Sequence, residues 1–159
     1  TGSCKRRTYD FRIHWLGLGS IGNNMTSYDI INLMKAWGHN LKTEHIAGFL
    51  YYFRQMVHKN RVATVSDEHG VQAVIFFYLT NDYRLLYKKD IWALALDKPS
   101  GCQVYVDKLV CREWNLEIRR KFQDFIESTF PNVTEAYYHR APKDRCVKIK
   151  RRSRVACIA

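Results

Sequence analysis

The stretch RVATVSDEHGVQAVIFFYLT, residues 61–80, is where the hydrophobic period of this chain changes. Its two halves are rich in β-branched and aromatic residues. Asp67-Glu68-His69-Gly70 separates them, which predicts an antiparallel hairpin closed by a glycine-containing loop. Upstream the period is helical. Residues 26–37 place Ile30, Leu33, Met34 and Trp37 on one face, with Thr26 or Ser27 as the cap and Gly38 as the stop. Residues 43–58 do the same with Ile46, Phe49, Leu50, Phe53 and Val57, and Thr43 is the expected cap.

Downstream, NDYRLLYKKD is polar and ambiguous, and IWALAL reads as a further strand. After the turn KPSG, CQVYVDKLVC alternates as a strand does. Residues 115–130 form a third helix with Ile118, Phe122, Phe125 and Ile126 on one face, Asn115 as cap and Pro131 as stop. VTEAYYH and RCVKIKRR read as closing strands around RAPKD. The expected order is α-α-β-β-β-β-α-β-β in one mixed-sheet α/β (α+β) domain. Its expected bounds are a lead-in over 1–25, a domain over 26–152 and a tail over 153–159. VYVDKLV is expected to be central in the sheet, with the third helix packed on it.

The lead-in contains WLGLGSIGNNM, residues 15–25, in which Gly17, Gly19 and Gly22 match G-x-G-x-x-G. A dinucleotide site needs a helix and then a parallel strand bearing an acid about twenty residues on. Here two helices follow, Glu44 falls inside the second, and the next strands form a hairpin. No nucleotide is therefore expected at these glycines.

The 47% hydrophobic and 14% aromatic content excludes a disordered chain. A net charge of +11 favours an acidic partner: nucleic acid, an anionic cofactor or an acidic protein. The five cysteines, Cys4, Cys102, Cys111, Cys146 and Cys157, contain no C-x-x-C pair. Zinc is not expected, and reduced thiols in a cytoplasmic protein are the simplest account. Cys111 reads as a small core residue.

From residue 26 onward the order of elements resembles the GNAT acyltransferase fold. The 61–80 hairpin resembles its second and third strands, VYVDKLVCREWN its fourth strand, and LEIRRKFQDFIESTF the helix behind that strand. The resemblance implies acyl transfer to an amine, with acyl-CoA or acyl carrier protein as donor. One departure stands out. The family's pyrophosphate loop carries glycine, whereas CREWNLEIRRKF has none and brings Trp114 and Glu117 instead. The usual CoA grip is not expected, and Arg119 and Arg120 are the candidate phosphate contacts. A branch that also lacks the glycine loop, the toxin-activating lysine acyltransferases, takes its acyl group from the acidic acyl carrier protein and uses a His with an Asp. That resemblance puts Asp107 in the aspartate's role and His39 or His45 in the histidine's. The bland alternative pairs Asp107 with Lys108 or a nearby Arg and leaves the histidines on the surface.

A second function class remains open. In HRAPKDRCVKIKRRSR, Lys148, Lys150 and Arg152 alternate with Val147 and Ile149, and Arg151 adds charge. Such a strand neutralises phosphates, and Tyr137, Tyr138 and His139 nearby suit base stacking. Alternatively it is an edge strand protected by its charges.

Overall fold

The computed structural model describes residues 12–15, 25–39, 41–84, 97–139 and 146–150, without the side chains of 14, 15, 139 and 146–150. Helix α1 (Ser27–Ala36) begins with a reciprocal cap. The Asp29 amide donates to Thr26 Oγ1 at 3.3 Å, and the Thr26 amide donates to Asp29 Oδ2 at 2.8 Å. Gly38 ends the helix with φ +76°. The Gly38 amide reaches the Lys35 carbonyl at 3.2 Å and the His39 amide reaches the Met34 carbonyl at 2.8 Å. This is a Schellman turn, which needs a left-handed residue where the glycine stands.

Helix α2 (Ile46–His58) opens differently from expectation. Thr43 belongs to a 3-10 turn, Thr43–His45, and His45 occupies the cap position without a side-chain bond. At its other end Arg61 donates to the carbonyls of Lys59 and Asn60, satisfying acceptors that the last turn leaves open.

Among the described residues there are six strands: β1 (Arg12–Trp15), β2 (Val62–Asp67), β3 (Gly70–Thr80), β4 (Gln103–Cys111), β5 (Glu135–His139) and β6 (Cys146–Lys150). They lie side by side in sequence order. The β4–β5 pair is parallel and the other pairs are antiparallel. The 61–80 hairpin is present as read, with Gly70 at φ +105° closing it. Strand β1 lies within the stretch expected as a lead-in and extends the sheet, Arg12 opposite Ser66 and Trp15 opposite Ala63. The run before the glycines reads as apolar and strand-like, but the expected order of elements does not include it. Gly17, Gly19, Gly22, the IWALAL stretch, Arg151 and Arg152 lie outside the described residues.

Strand β3 is buried on both faces, and this makes three layers. Val74, Phe76 and Tyr78 face α1 and α2, where the Phe76 ring meets those of Phe49 and Phe53. Ala73, Ile75, Phe77 and Leu79 face helix α3 (Leu116–Thr129), where Phe77 meets Phe122. Each such aromatic contributes about 1.5–3 kcal/mol by leaving water. Strand β4 is inside the sheet and α3 packs on it through Ile118, Phe122 and Ile126, as expected. No helix among the described residues is long and apolar enough to cross a membrane.

Candidate functional site at the β4–β5 fork

Strands β4 and β5 run together from Gln103–Glu135 to Val106–Tyr138, and there the pairing stops. Strand β4 continues to Cys111 without β5 beside it. At the same point β4 is irregular against β3. Phe77 pairs with Val106 but Phe76 pairs with Lys108, so Asp107 is the extra residue of a β-bulge.

The bulge corrects one expectation. Strict alternation places Asp107 on the face opposite Lys108. In the structure both point to the α2 side: the Tyr52 hydroxyl donates to Asp107 Oδ2 at 2.6 Å, and the Lys108 ammonium lies 5.5 Å from the centre of the Tyr52 ring. Val106 faces the other way, toward the α3 cluster. Asp107 is half-buried and its partner is a phenol, not Lys108 or an arginine.

Burial pushes the Tyr52 phenol well above its ordinary range, and the Asp107 charge adds to it, as do hydrogen bonds to Asp107 and Tyr78. Tyr78 is likewise raised, by burial first and then by Asp107. Both phenols therefore stay protonated at neutral pH and act as donors. With Tyr52 on Oδ2, Asp107 keeps its second oxygen available as an acceptor.

The Schellman turn carries His39 to the far end of β4, where its Nε2 stands 3.2 Å from the Cys111 carbonyl. A carbonyl only accepts, so Nε2 carries the proton and Nδ1 is the basic nitrogen. The Arg112 amide points to β3, onto the Gln72 carbonyl, so the carbonyl of the same peptide unit points away from β3, toward the side β5 has left. His39 thus satisfies an acceptor that the fork exposes. Asp107 lies four residues earlier, roughly 13 Å along an extended strand, so the two form no direct pair. His45 is 63% exposed, with its Nε2 3.6 Å from Glu44, seven residues before Tyr52 on the α2 side.

On the α3 face of the fork lies a cavity of about 50 Å³ between Val106 and Leu109 of β4, Ala136 and Tyr138 of β5, and Phe122 and Ile126 of α3. Trp114 also lines it, with its ring 6.4 Å from that of Tyr138. Of the two candidate arginines, Arg119 lines this cavity, whereas Arg120 is exposed and pairs with Glu117 at 3.4 Å. At the start of α3, Asn115 Oδ1 accepts the Ile118 amide at 2.9 Å. That bond, the bulk of Trp114 and the missing glycine leave no open cradle for a pyrophosphate.

Burial raises the Cys111 thiol, which keeps it protonated and inert, in line with a core role. Among the described residues Cys102 and Cys111 are free and no cluster is suited to a metal ion. Strand β6 sits beside β5, with Lys148 opposite Tyr137 and Lys150 opposite Glu135.

Tyr52, which holds Asp107, and Tyr78, whose phenol feels the Asp107 charge, are not singled out by the sequence. The available signal is spacing: Tyr52 follows Phe49 by three residues, on the buried side of α2.

No family model and no curated protein matches the chain. Solved structures do. The loading GNATL domain of CurA from Lyngbya majuscula aligns at 11% identity and TM-score 0.49, over 84% of this chain and 70% of that one. The GphF GNAT-like decarboxylase, solved with isobutyryl-CoA, aligns at 12% identity and TM-score 0.51. That alignment covers 80% of this chain and 64% of the other, so this chain spans less than two thirds of it. The fold of the chain is a divergent GNAT-like fold.

Proposed function

We propose that this chain transfers an acyl group from a thioester to an amine, with Asp107 as the proton acceptor. The observation that carries the reading is a juxtaposition: Asp107 and the apolar cavity stand back to back at the point where β4 and β5 part. A thioester lying on the cavity side can present its carbonyl at the fork, and an amine can approach from the α2 side. The likeness to a decarboxylase solved with isobutyryl-CoA supports an acyl thioester as the ligand class.

The chemistry asks little of the carboxylate. The amine nitrogen attacks the thioester carbonyl, and the C–N bond forms. The nitrogen then carries a positive charge and is acidic, so a carboxylate suffices to take its proton. The C–S bond breaks as the carbonyl re-forms, and the departing thiolate takes up a proton. Tyr52 fixes the carboxylate through Oδ2 while the other oxygen receives the proton.

The start of α3 does not fit a CoA pyrophosphate, so the donor in this reading is a thioester on an acyl carrier protein. The +11 charge supports an acidic carrier. His39, basic at Nδ1, is the second proton acceptor of the site.

Asp107→Asn keeps the shape and the acceptor for Tyr52 but removes the charge. In an assay of acyl transfer from acyl carrier protein to a lysine peptide, turnover falls by orders of magnitude with the melting temperature nearly unchanged. His39→Gln falls less. A stable, fully active Asp107→Asn protein removes Asp107 from the mechanism.

A further inference from the structure

The bulge in β4 sets two opposite charges on the α2 face without letting them cancel. Asp107 is half-buried and Lys108 is exposed. The carboxylate is held at the hydroxyl of Tyr52, at 2.6 Å, and the ammonium lies 5.5 Å from the centre of the same ring. Among the described residues no carboxylate, that of Asp107 included, lies within ion-pair distance of the Lys108 ammonium. Each charge therefore keeps capacity for a partner from outside: Asp107 through its second oxygen, Lys108 through its ammonium hydrogens. Gly48 stands one turn before Tyr52 on the same side of α2, and a Cβ there would meet nothing within 4 Å. The space beside the two charges is open.

We propose that the acyl acceptor is a free α-amino acid, docked with its ammonium on Asp107, its carboxylate on Lys108 and its side chain in the space over Gly48. The proposal rests on the acyl-transfer reading and adds to it the class of amine. An amino acid carries both charges on one carbon. With a hydrogen bond of about 2.8 Å at each end it bridges two groups that do not reach each other. A lysine side chain in a peptide offers only the first charge. In the reaction the docked ammonium gives one proton to water, the amine nitrogen attacks the thioester carbonyl, and Asp107 takes the second proton. The C–S bond breaks, the thiolate takes up a proton, and the product is an N-acyl amino acid.

The test compares matched acceptors with hexanoyl-acyl carrier protein as donor and the N-acyl product read by mass spectrometry. L-phenylalanine is set against phenylethylamine, which lacks the carboxylate, and L-phenylalanine amide, which lacks its charge. Glycine and a lysine peptide complete the set. Saturation-transfer NMR on the full chain follows binding of the same compounds without donor. L-phenylalanine is expected to exceed both matched compounds at least tenfold in kcat/KM. Lys108→Gln raises its KM at least tenfold, changes kcat far less and erases the preference, whereas Lys108→Arg keeps it. Lys108 is exposed, so both variants fold. Gly48→Leu lowers the use of L-phenylalanine more than that of glycine.

Equal use of L-phenylalanine and phenylethylamine, or a KM untouched by Lys108→Gln, overturns the proposal. Transfer to the lysine peptide alone overturns it too and leaves acyl transfer standing. L-phenylalanine that binds, loses binding in Lys108→Gln and receives no acyl group supports the docking site and defeats acyl transfer. No binding and no transfer with any compound defeats both. A Gly48→Leu protein that uses L-phenylalanine and glycine as before overturns the placement of the side chain.

Discussion

Replacing Tyr52 by Phe is expected to halve the alkaline sensitivity contributed by the Asp107 cluster. Tyr52 and Tyr78 are both protonated in the folded chain, and burial beside Asp107 holds them above their ordinary pKa of 10.0. Unfolding returns them to that value. A pKa raised by folding gives a stabilisation that is complete below about pH 10 and lost as the pH rises from there toward the folded value. Each phenol in that window contributes a slope of about 1.4 kcal/mol per pH unit, so the two together cost roughly 2.7 kcal/mol between about pH 9 and pH 11. Tyr52→Phe removes one phenol and with it about 1.4 kcal/mol of that loss. Every other titration is common to both proteins and cancels in the difference. Urea unfolding followed by circular dichroism at three pH values between these limits measures it. With an m-value of about 2 kcal/mol/M, the variant's midpoint falls by roughly 0.7 M less than the wild type's across the range. Equal losses in the two proteins refute a Tyr52 phenol held above its ordinary range by burial and by Asp107.

Two further outcomes are expected from positions outside the fork. Asp97 binds Arg61 through both carboxylate oxygens, at 2.9 and 3.0 Å, and accepts the Leu79 amide at 2.9 Å. The two side chains are only 2% and 8% exposed, so Asp97→Ala leaves a buried guanidinium and an orphan amide, and the expected loss is about 3–5 kcal/mol in urea unfolding. A loss below about 1 kcal/mol shows that water reaches Arg61 freely. Gly101 leads into β4 with no space for a methyl group, since a Cβ there stands 2.5 Å from the Thr80 amide nitrogen. Gly101→Ala is expected to cost about 1–3 kcal/mol through displacement of the β3 end, read as a lowered melting temperature; an unchanged melting temperature contradicts that packing.

Local rules explain what was legible in advance. The change of period at residue 61, the capping pair Thr26–Asp29, the glycine stop at 38 and the Asn115 cap each depend on residues within a few positions of one another, so one sequence suffices to find them. Thr43 shows how such a rule fails. A threonine before a helical run is a good cap in isolation, but here the chain enters α2 through a 3-10 turn and the threonine lies one turn too early. The place of strand β1 in the sheet and the Arg61–Asp97 pair were not legible, because each depends on a partner tens of residues away. Arg12 has its partner at Ser66, and Arg61 has its partner 36 positions on.

The candidate site was half legible, for a reason that lies in the bulge. Asp107 attracts notice as a carboxylate in an apolar strand, and alternation then decides what it faces. A bulge adds one residue without any compositional mark, since Val106, Asp107 and Lys108 are all compatible with regular pairing. Its effect is to put two successive side chains on one face, and so to bring a carboxylate and an ammonium to the same tyrosine. The fork makes this arrangement accessible, because β5 ends its pairing at Val106 and leaves the β4 edge beyond it without a neighbouring strand. One irregularity thus moves Lys108 onto the α2 face beside Asp107 and the other opens the sheet next to them. Deletion of Lys108 restores regular pairing, with Asp107 opposite Phe76 and Leu109 still opposite Ile75, and leaves every other side chain of β4 on its present face. It is expected to take the ammonium away from the Tyr52 ring while keeping the Tyr52–Asp107 contact and the apolar wall that Leu109 lends the cavity, and a structure of the variant in which Asp107 has left Tyr52 refutes this account of the bulge.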